Sequence, residues 1–183
     1  PCEIITVTND HMVEGSSMYL TVGEQRTVEE LLYGLMLSSG NDAALALTEV
    51  CGGEGLFVEK MNALAQRIGM ADSSFRNPNG LDEEGHYSTA RDLATLARYA
   101  MSNETFRQIA KTKSYNIDET NTHRARSLTT RHRIMLQTYS GEDNSYYYAP
   151  TTGIKSGYTD PAGNCYIGAA EKDGVKLISV VLK

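Results

Sequence analysis

The spacing of apolar residues changes about halfway along this 183-residue chain, and this change constrains the fold more than any other feature. From about residue 27 to 111 the apolar residues recur every three or four positions, as along one face of a helix. From about residue 113 to 183 they fall in short alternating runs divided by turn-forming residues, as in strands. This order predicts one α+β domain over residues 1–183, in which helices cover an antiparallel sheet.

Four helices are predicted in the first part. Thr27 and Glu30 have the spacing of a capping box, which marks the start of the first helix. Beyond the polar joint at Ser38–Asn41, a second apolar pattern runs up to Cys51. A third helix is predicted over about Leu56–Ile68, with Gly69 as its end. A fourth begins at Ser88-Thr89, and we place Arg91 and Asp92 on the exposed surface of its first turn.

Strands are predicted at both ends of the chain. Glu3–Thr8 alternates as a short strand. Near the other end, three strands should form an antiparallel meander: Gly153–Tyr158, Asn164–Ala170 and Val175–Leu182. The stretch from Lys113 to Ala149 is less regular, with strand-like pieces at Tyr115, Ile117 and Leu128 and a cluster of three tyrosines at positions 146–148.

Composition and charge argue against several classes of function. The chain is 40% hydrophobic and 22% charged, as expected for a globular domain with a core. Its net charge is −6 without any Lys/Arg cluster, which argues against nucleic acid or an anionic membrane as partner. No apolar run approaches the ~18 residues of a membrane span. Cys2, Cys51 and Cys165 form no Cys-x-x-Cys pair, and the four histidines form no His-x-x-x-His pair, so neither a metal nor a cofactor is predicted.

Two short motifs carry hydroxyl, amide and amino groups. Ser39-Gly40-Asn41 lies at a predicted helix joint, and Lys155-Ser156-Gly157 lies on a predicted strand. Each alone has an ordinary explanation, since Ser and Asn cap helices and Lys protects edge strands. Together and in this order they are two of the three motifs of penicillin-binding proteins and β-lactamases, the third being Ser-x-x-Lys.

Further segments make the resemblance specific. The chain resembles the serine D-alanyl-D-alanine carboxypeptidases, which are penicillin-binding enzymes of the β-lactamase/transpeptidase-like superfamily. The segments that carry the resemblance are Glu14–Ser17, Leu31–Leu35, Ser39–Ala44, Asn77–Leu81, His86–Ala90 and Gly153–Thr159. Only about Lys113–Ala149 departs from the family, and Ser156 replaces the more usual threonine while keeping the hydroxyl.

The resemblance implies an acyl-enzyme mechanism on peptidoglycan stem peptides ending in D-Ala-D-Ala, with β-lactams as inhibitors. It implies that Ser39 relays a proton to the leaving amine, Asn41 holds the substrate amide and Lys155 supplies positive potential. It also implies that Ser156 and Thr159 bind the terminal carboxylate, that Gly157 lets the substrate approach closely and that the Tyr158 N–H helps to form the oxyanion hole. The implied location is extracytoplasmic, in the bacterial cell wall.

The nucleophile of the family is not among these residues, because no Ser-x-x-Lys occurs in the sequence. We expect that motif upstream of Pro1 and expect the chain to be incomplete at both ends, so that any membrane anchor also lies outside it. A companion fragment or a second copy of the chain would then cover the open sheet edges. An inactive peptidoglycan-binding paralogue remains the main alternative. A β-lactamase is less favoured, since no Glu-x-x-Leu-Asn segment is present.

Overall fold

The computed structural model describes residues 3–120, 122–123 and 125–183. Cys2 therefore lies outside the described residues, while Cys51 and Cys165 are half-buried free thiols. The chain divides into two compact units. The first contains the residues up to Glu59 together with Asn77–Gly80 and Ser114–Arg131, and the second contains Lys60–Arg76, Leu81–Lys113 and His132–Lys183.

The described residues contain five α-helices: α1 Val28–Ser38, α2 Asn41–Leu47, α3 Glu54–Arg67, α4 Ala90–Ala100 and α5 Glu104–Lys111. The four predicted helices are confirmed as α1 to α4. The Thr27 side chain accepts a hydrogen bond from the Glu30 backbone N–H, and the Glu30 carboxylate in turn accepts from the Thr27 N–H. This capping box begins α1 where the sequence predicted it.

The described strands are β1 Ile4–Thr6, β2 Gln25–Thr27, β3 Ser114–Ile117, β4 Arg126–Thr129, β5 Thr138–Tyr139, β6 Glu142–Asp143, β7 Thr151–Thr159, β8 Gly163–Lys172 and β9 Val175–Val181. In the first unit β1 pairs with β2 and β3 with β4, all antiparallel. In the second unit β7, β8 and β9 form the predicted antiparallel meander, with β8 in the centre.

The first unit has a well-defined apolar core. Leu31 and Leu37 of α1 are buried against Ala43 and Leu47 of α2. Ala46 of α2 is a further member, and the others come from the strands and from the segment before β2: Ile5, Val7, Met18, Leu20, Ile117 and Leu128. In the second unit, α4 packs against β9 and α5 packs against β7.

The prediction that Asp92 lies on the exposed surface of the first turn of α4 is wrong. Its side chain is buried, and its Oδ2 accepts hydrogen bonds from the Asp72 N–H at 2.9 Å and the Ser73 hydroxyl at 2.7 Å. A buried carboxylate is tolerated when hydrogen bonds satisfy it. Asp92 thus ties the 72–73 turn to α4, whereas Arg91 is exposed as predicted.

Candidate active site

The joint between α1 and α2 places Ser39 in a left-handed backbone conformation. Ser39 has φ 58° and ψ 36° as the C-cap of α1, a place that glycine usually takes. The next residue, Gly40, is buried, and a Cβ there would lie 2.8 Å from Asp42 Oδ1 and 3.2 Å from the Met18 nitrogen. A side chain at Gly40 would force Asp42 or the Met18 backbone to shift, so local packing favours glycine between Ser39 and Asn41.

The carboxamide of Asn41 is held by the backbone of residues 14–16. Its Nδ2 donates to the Glu14 carbonyl at 2.9 Å, and its own N–H donates to the Ser16 carbonyl at 2.8 Å. Gly15 has φ +96°, and a Cβ on it would lie 2.8 Å from Asn41 Nδ2. The glycine therefore lets this backbone approach the carboxamide closely.

Asp42 was not among the predicted site residues, although it fixes the geometry of the joint. Its carboxylate is buried and accepts from the Ser17 hydroxyl at 2.6 Å and from the backbone N–H groups of Met18 at 3.1 Å and Leu20 at 3.0 Å. It lies in the first turn of α2, where the helix dipole favours negative charge. The signal in the sequence was the Asp that directly follows Ser-x-Asn.

Lys155 lies on β7, at one edge of the three-stranded sheet formed by the described residues. It is half-buried and pairs with Ile167 of β8. Its Nζ donates to the Ser156 carbonyl at 2.7 Å. The four following residues, 156–159, complete the strand, with Gly157 and Tyr158 exposed.

The end of β7 is tied to an acidic loop. The Thr159 hydroxyl donates to Asp82 Oδ1 at 2.9 Å and accepts from the Ala162 N–H at 3.2 Å. The Tyr158 hydroxyl donates to Asp160 at 2.9 Å. A substrate carboxylate that bound the Thr159 hydroxyl would have to replace Asp82 as its acceptor.

His132 lies close to Lys155 in the second unit and was not predicted as part of the site. Its ring is buried and tilted against the Tyr166 ring, with 4.9 Å between the ring centroids. Burial, and then the positive charge of Lys155, lower the pKa of His132 to about 4. Burial also raises the pKa of Tyr166 to about 12. Both rings are therefore uncharged at neutral pH.

The predicted site residues form two groups. Ser39 and Asn41 come together at the α1–α2 joint of the first unit. Lys155 and the four residues after it lie along β7 in the second unit. Among the described residues there is no cluster of three or more His, Cys, Asp or Glu side chains that could hold a metal ion. The same residues include no helix with the length and apolar character needed to cross a bilayer.

Comparison with known proteins identifies the family. The sequence model of the D-alanyl-D-alanine carboxypeptidase family matches residues 3–183. The carboxypeptidase DacF of Bacillus subtilis is 37% identical over 177 residues, which cover 95% of this chain and 43% of DacF. A D-alanyl-D-alanine carboxypeptidase of Streptomyces sp. K15 is 35% identical over 91% of this chain and 58% of its own length. The chain therefore belongs to the D-alanyl-D-alanine carboxypeptidase family, and it spans about half the length of these relatives.

Solved structures confirm the predicted fold class. The D-alanyl-D-alanine carboxypeptidase of Mycobacterium tuberculosis has a TM-score of 0.87 at 30% identity, covering 99% of this chain and 65% of that one. The Streptomyces K15 DD-transpeptidase has a TM-score of 0.86 at 31% identity, covering 98% of this chain and 71% of that one. The α+β fold of this chain is thus that of the DD-peptidases.

Proposed function

We propose that this chain is part of the catalytic domain of a serine D-alanyl-D-alanine carboxypeptidase, with a helical part over about residues 27–111 and a sheet part over about 113–183. The observation that carries the proposal is the family match over residues 3–183, which includes both motifs. The substrate is a peptidoglycan stem peptide ending in D-Ala-D-Ala, and the protein acts outside the cytoplasmic membrane, where that polymer lies. β-Lactams acylate the serine that serves as the nucleophile.

The reaction proceeds through an acyl-enzyme. A serine hydroxyl attacks the carbonyl between the two D-alanines, the terminal D-alanine leaves as a protonated amine, and water then hydrolyses the ester. The nucleophile and its lysine base come from a Ser-x-x-Lys segment outside these 183 residues. The chain by itself is then inactive.

The residues of the first unit act on protons and on the substrate amide. Ser39 relays a proton toward the leaving amine. Asn41 is held by two backbone carbonyls, so that its carboxamide is oriented before substrate arrives. A pre-oriented dipole stabilises developing charge without reorganisation during the reaction.

The residues of the second unit act on the substrate's charge. Lys155 supplies positive potential, which the uncharged His132 and Tyr166 leave uncancelled. The Ser156 and Thr159 hydroxyls donate to the terminal carboxylate, and the Tyr158 N–H is one donor of the oxyanion hole. Gly157 has no heavy atom within 4 Å of an ideal Cβ, which fits a close approach of the substrate backbone.

A test compares the 183-residue chain with the protein expressed from its gene's own start without a signal peptide. Both are treated with a fluorescent penicillin and examined by gel and intact mass. Labelling of the longer protein alone, with the adduct on a serine upstream of Pro1, is the expected result. In the longer protein, Lys155→Ala should slow acylation by about 10²-fold or more, while Lys172→Ala at the exposed end of β8 should not.

The absence of Ser-x-x-Lys from this sequence favours a second candidate, a peptidoglycan-binding paralogue without catalysis. This candidate predicts that neither protein is labelled, although both retain their fold. That result would refute the carboxypeptidase proposal.

A further inference from the structure

Arg131 links the end of α1 to the segment Glu14–Ser17. Its backbone N–H donates to the Leu37 carbonyl at 3.1 Å, two residues before Ser39. Its guanidinium Nη1 donates to the Ser16 hydroxyl at 2.7 Å. Arg131 is exposed, and all of these residues belong to the first unit.

The segment Glu14–Ser17 has no helix or strand of its own. Its position therefore depends on the bonds that its members make to other parts of the unit. Ser17 bonds to Asp42, and Ser16 bonds to Arg131 through its side chain and to Asn41 through its carbonyl. Removing the Arg131 bond would leave residues 14–16 held mainly by the Asn41 contacts themselves.

The bond from Asn41 to Glu14 decides which atom of the carboxamide is presented. A carbonyl oxygen can only accept a hydrogen bond, so Nδ2 must face Glu14 and Oδ1 must face away. Oδ1 is then a hydrogen-bond acceptor for an amide N–H or an ammonium group. If residues 14–16 moved away, either atom could be presented, and the carboxamide would lose its fixed orientation.

We propose that Arg131 is a positioning residue for the reaction: through Ser16 it holds the Glu14–Ser17 segment, and this segment holds Asn41 with Oδ1 presented as an acceptor. The inference rests on the proposed function. It does not require Arg131 to touch the substrate. Its consequence is that Arg131 and Ser16 act as one unit, so that losing either has nearly the same effect as losing both.

The experiment uses the full-length protein with its own Ser-x-x-Lys segment. Arg131→Met, Ser16→Ala and the double variant are compared with the wild type for the second-order rate of acylation by a fluorescent penicillin. We expect each single variant to be slower by about tenfold, less than the ~10²-fold that a 1 Å misplacement of a catalytic group can cost, because the Asn41 contacts to Glu14 and Ser16 remain. The double variant should be no slower than either single variant, and Ser16→Thr, which keeps the hydroxyl, should restore the rate.

The matched control is Arg91→Met, at an exposed arginine in the first turn of α4, which should acylate at the wild-type rate. Melting temperatures are measured alongside, because a purely structural role would lower the rate only in proportion to the unfolded fraction. Multiplicative effects in the double variant, or no effect of Arg131→Met, would overturn the proposal.

A second readout separates this inference from the proposed function. Hydrogen exchange of the Asn41 side-chain amide is followed by NMR in the same protein, selectively labelled with ¹⁵N-asparagine and assigned with Asn41→Asp. Exchange should accelerate in Arg131→Met and Ser16→Ala but not in Arg91→Met. Unchanged exchange refutes the role of Arg131 whatever the acylation rates are. A wild-type protein that is not acylated refutes the carboxypeptidase proposal alone.

Discussion

His132 carries a titratable ring in surroundings that disfavour its charged form. The ring is 4% exposed and lies near the positive charge of Lys155. Its pKa is lowered from 6.5 to about 4, so the unfolded chain takes up a proton before the folded one does. The contribution of His132 to the free energy of unfolding is therefore fully present above pH 6.5 and is lost as the pH falls toward 4.

The resulting prediction concerns the pH dependence of unfolding. Between pH 7 and pH 4, the free energy of unfolding should fall by up to about 3 kcal/mol through His132 alone. Urea unfolding of the wild type and of His132→Asn at several pH values gives the difference curve. Equal slopes in the wild type and His132→Asn would contradict the prediction.

Glu24 is a fully buried carboxylate between two guanidinium groups. Its Oε1 accepts from Arg26 Nε and from Arg126 Nη2, each at 2.5 Å. Burial by itself would raise the pKa of Glu24, but the hydrogen bonds from Arg126 and Arg26 outweigh burial and lower the pKa below 4.5. Stability from Glu24 is therefore present above pH 4.5 and is lost as the pH falls below it.

Glu24→Gln should destabilise the protein by about 3–5 kcal/mol at pH 7, because Arg126 loses the counter-charge of Glu24 and Arg26 keeps only its ion pair with Glu30. Urea unfolding measures this loss. Glu59→Gln, at an exposed position of α3, should change the free energy of unfolding by less than about 0.5 kcal/mol. A loss below about 1 kcal/mol in Glu24→Gln would show that the guanidinium groups find other partners or water.

At the scale of elements, α2 illustrates how a helix start can hold a neighbouring segment in place. Asp42 accepts hydrogen bonds from Ser17, Met18 and Leu20, which lead into β2. All of these groups are hydrogen-bond donors, so residue 42 needs a side chain in which both terminal atoms are acceptors.

Asp42→Asn should destabilise the first unit by about 2–4 kcal/mol, because the new NH₂ group meets donors and leaves buried N–H groups unsatisfied. The loss is measured by urea unfolding at pH 7. Asp10→Asn, in an exposed 3-10 turn, is the matched control and should be close to neutral. A similar loss in both variants would remove the special role assigned to Asp42.

Local signals predicted most of the elements correctly. α1 begins at its capping box, α4 begins after its Thr89 cap, and the three strands of the meander lie within two residues of their predicted bounds. α5, β2 and the two-residue strands β5 and β6 were missed. α5 is short, with only eight residues, but its Asn103 cap could have indicated where the helix begins. β2 has three residues and exists through its pairing with β1, which no local pattern encodes.

At the scale of the whole molecule, β9 is the second edge of the sheet formed by the described residues, and it exposes apolar side chains. Val175, Leu177 and Val181 are 57%, 66% and 57% exposed. They point to the same face of the strand because side chains alternate. An apolar strand at an open edge favours association with another chain.

The 183-residue chain on its own should therefore self-associate as its concentration rises. In sedimentation velocity, the dissociation constant for self-association should be at least about tenfold larger for Leu177→Lys/Val181→Lys than for the wild type, since charges on an edge strand oppose pairing. Leu56→Lys, at a half-exposed leucine of α3, should not change it. A monomer at every concentration tested would contradict the prediction.

The sequence by itself determined the family, the helix and strand periods and the positions of both motifs, because these depend on residues close together in the chain. Only the tertiary structure decided that Asp92 is buried, that Asp42 and Arg131 hold the segment before β2 and that His132 lies beside Lys155. These features depend on contacts between residues 19 to 115 positions apart, such as Ser73 with Asp92 and Ser16 with Arg131. Local propensity carries no information on such contacts, since burial and hydrogen bonding over these separations arise only when the chain packs.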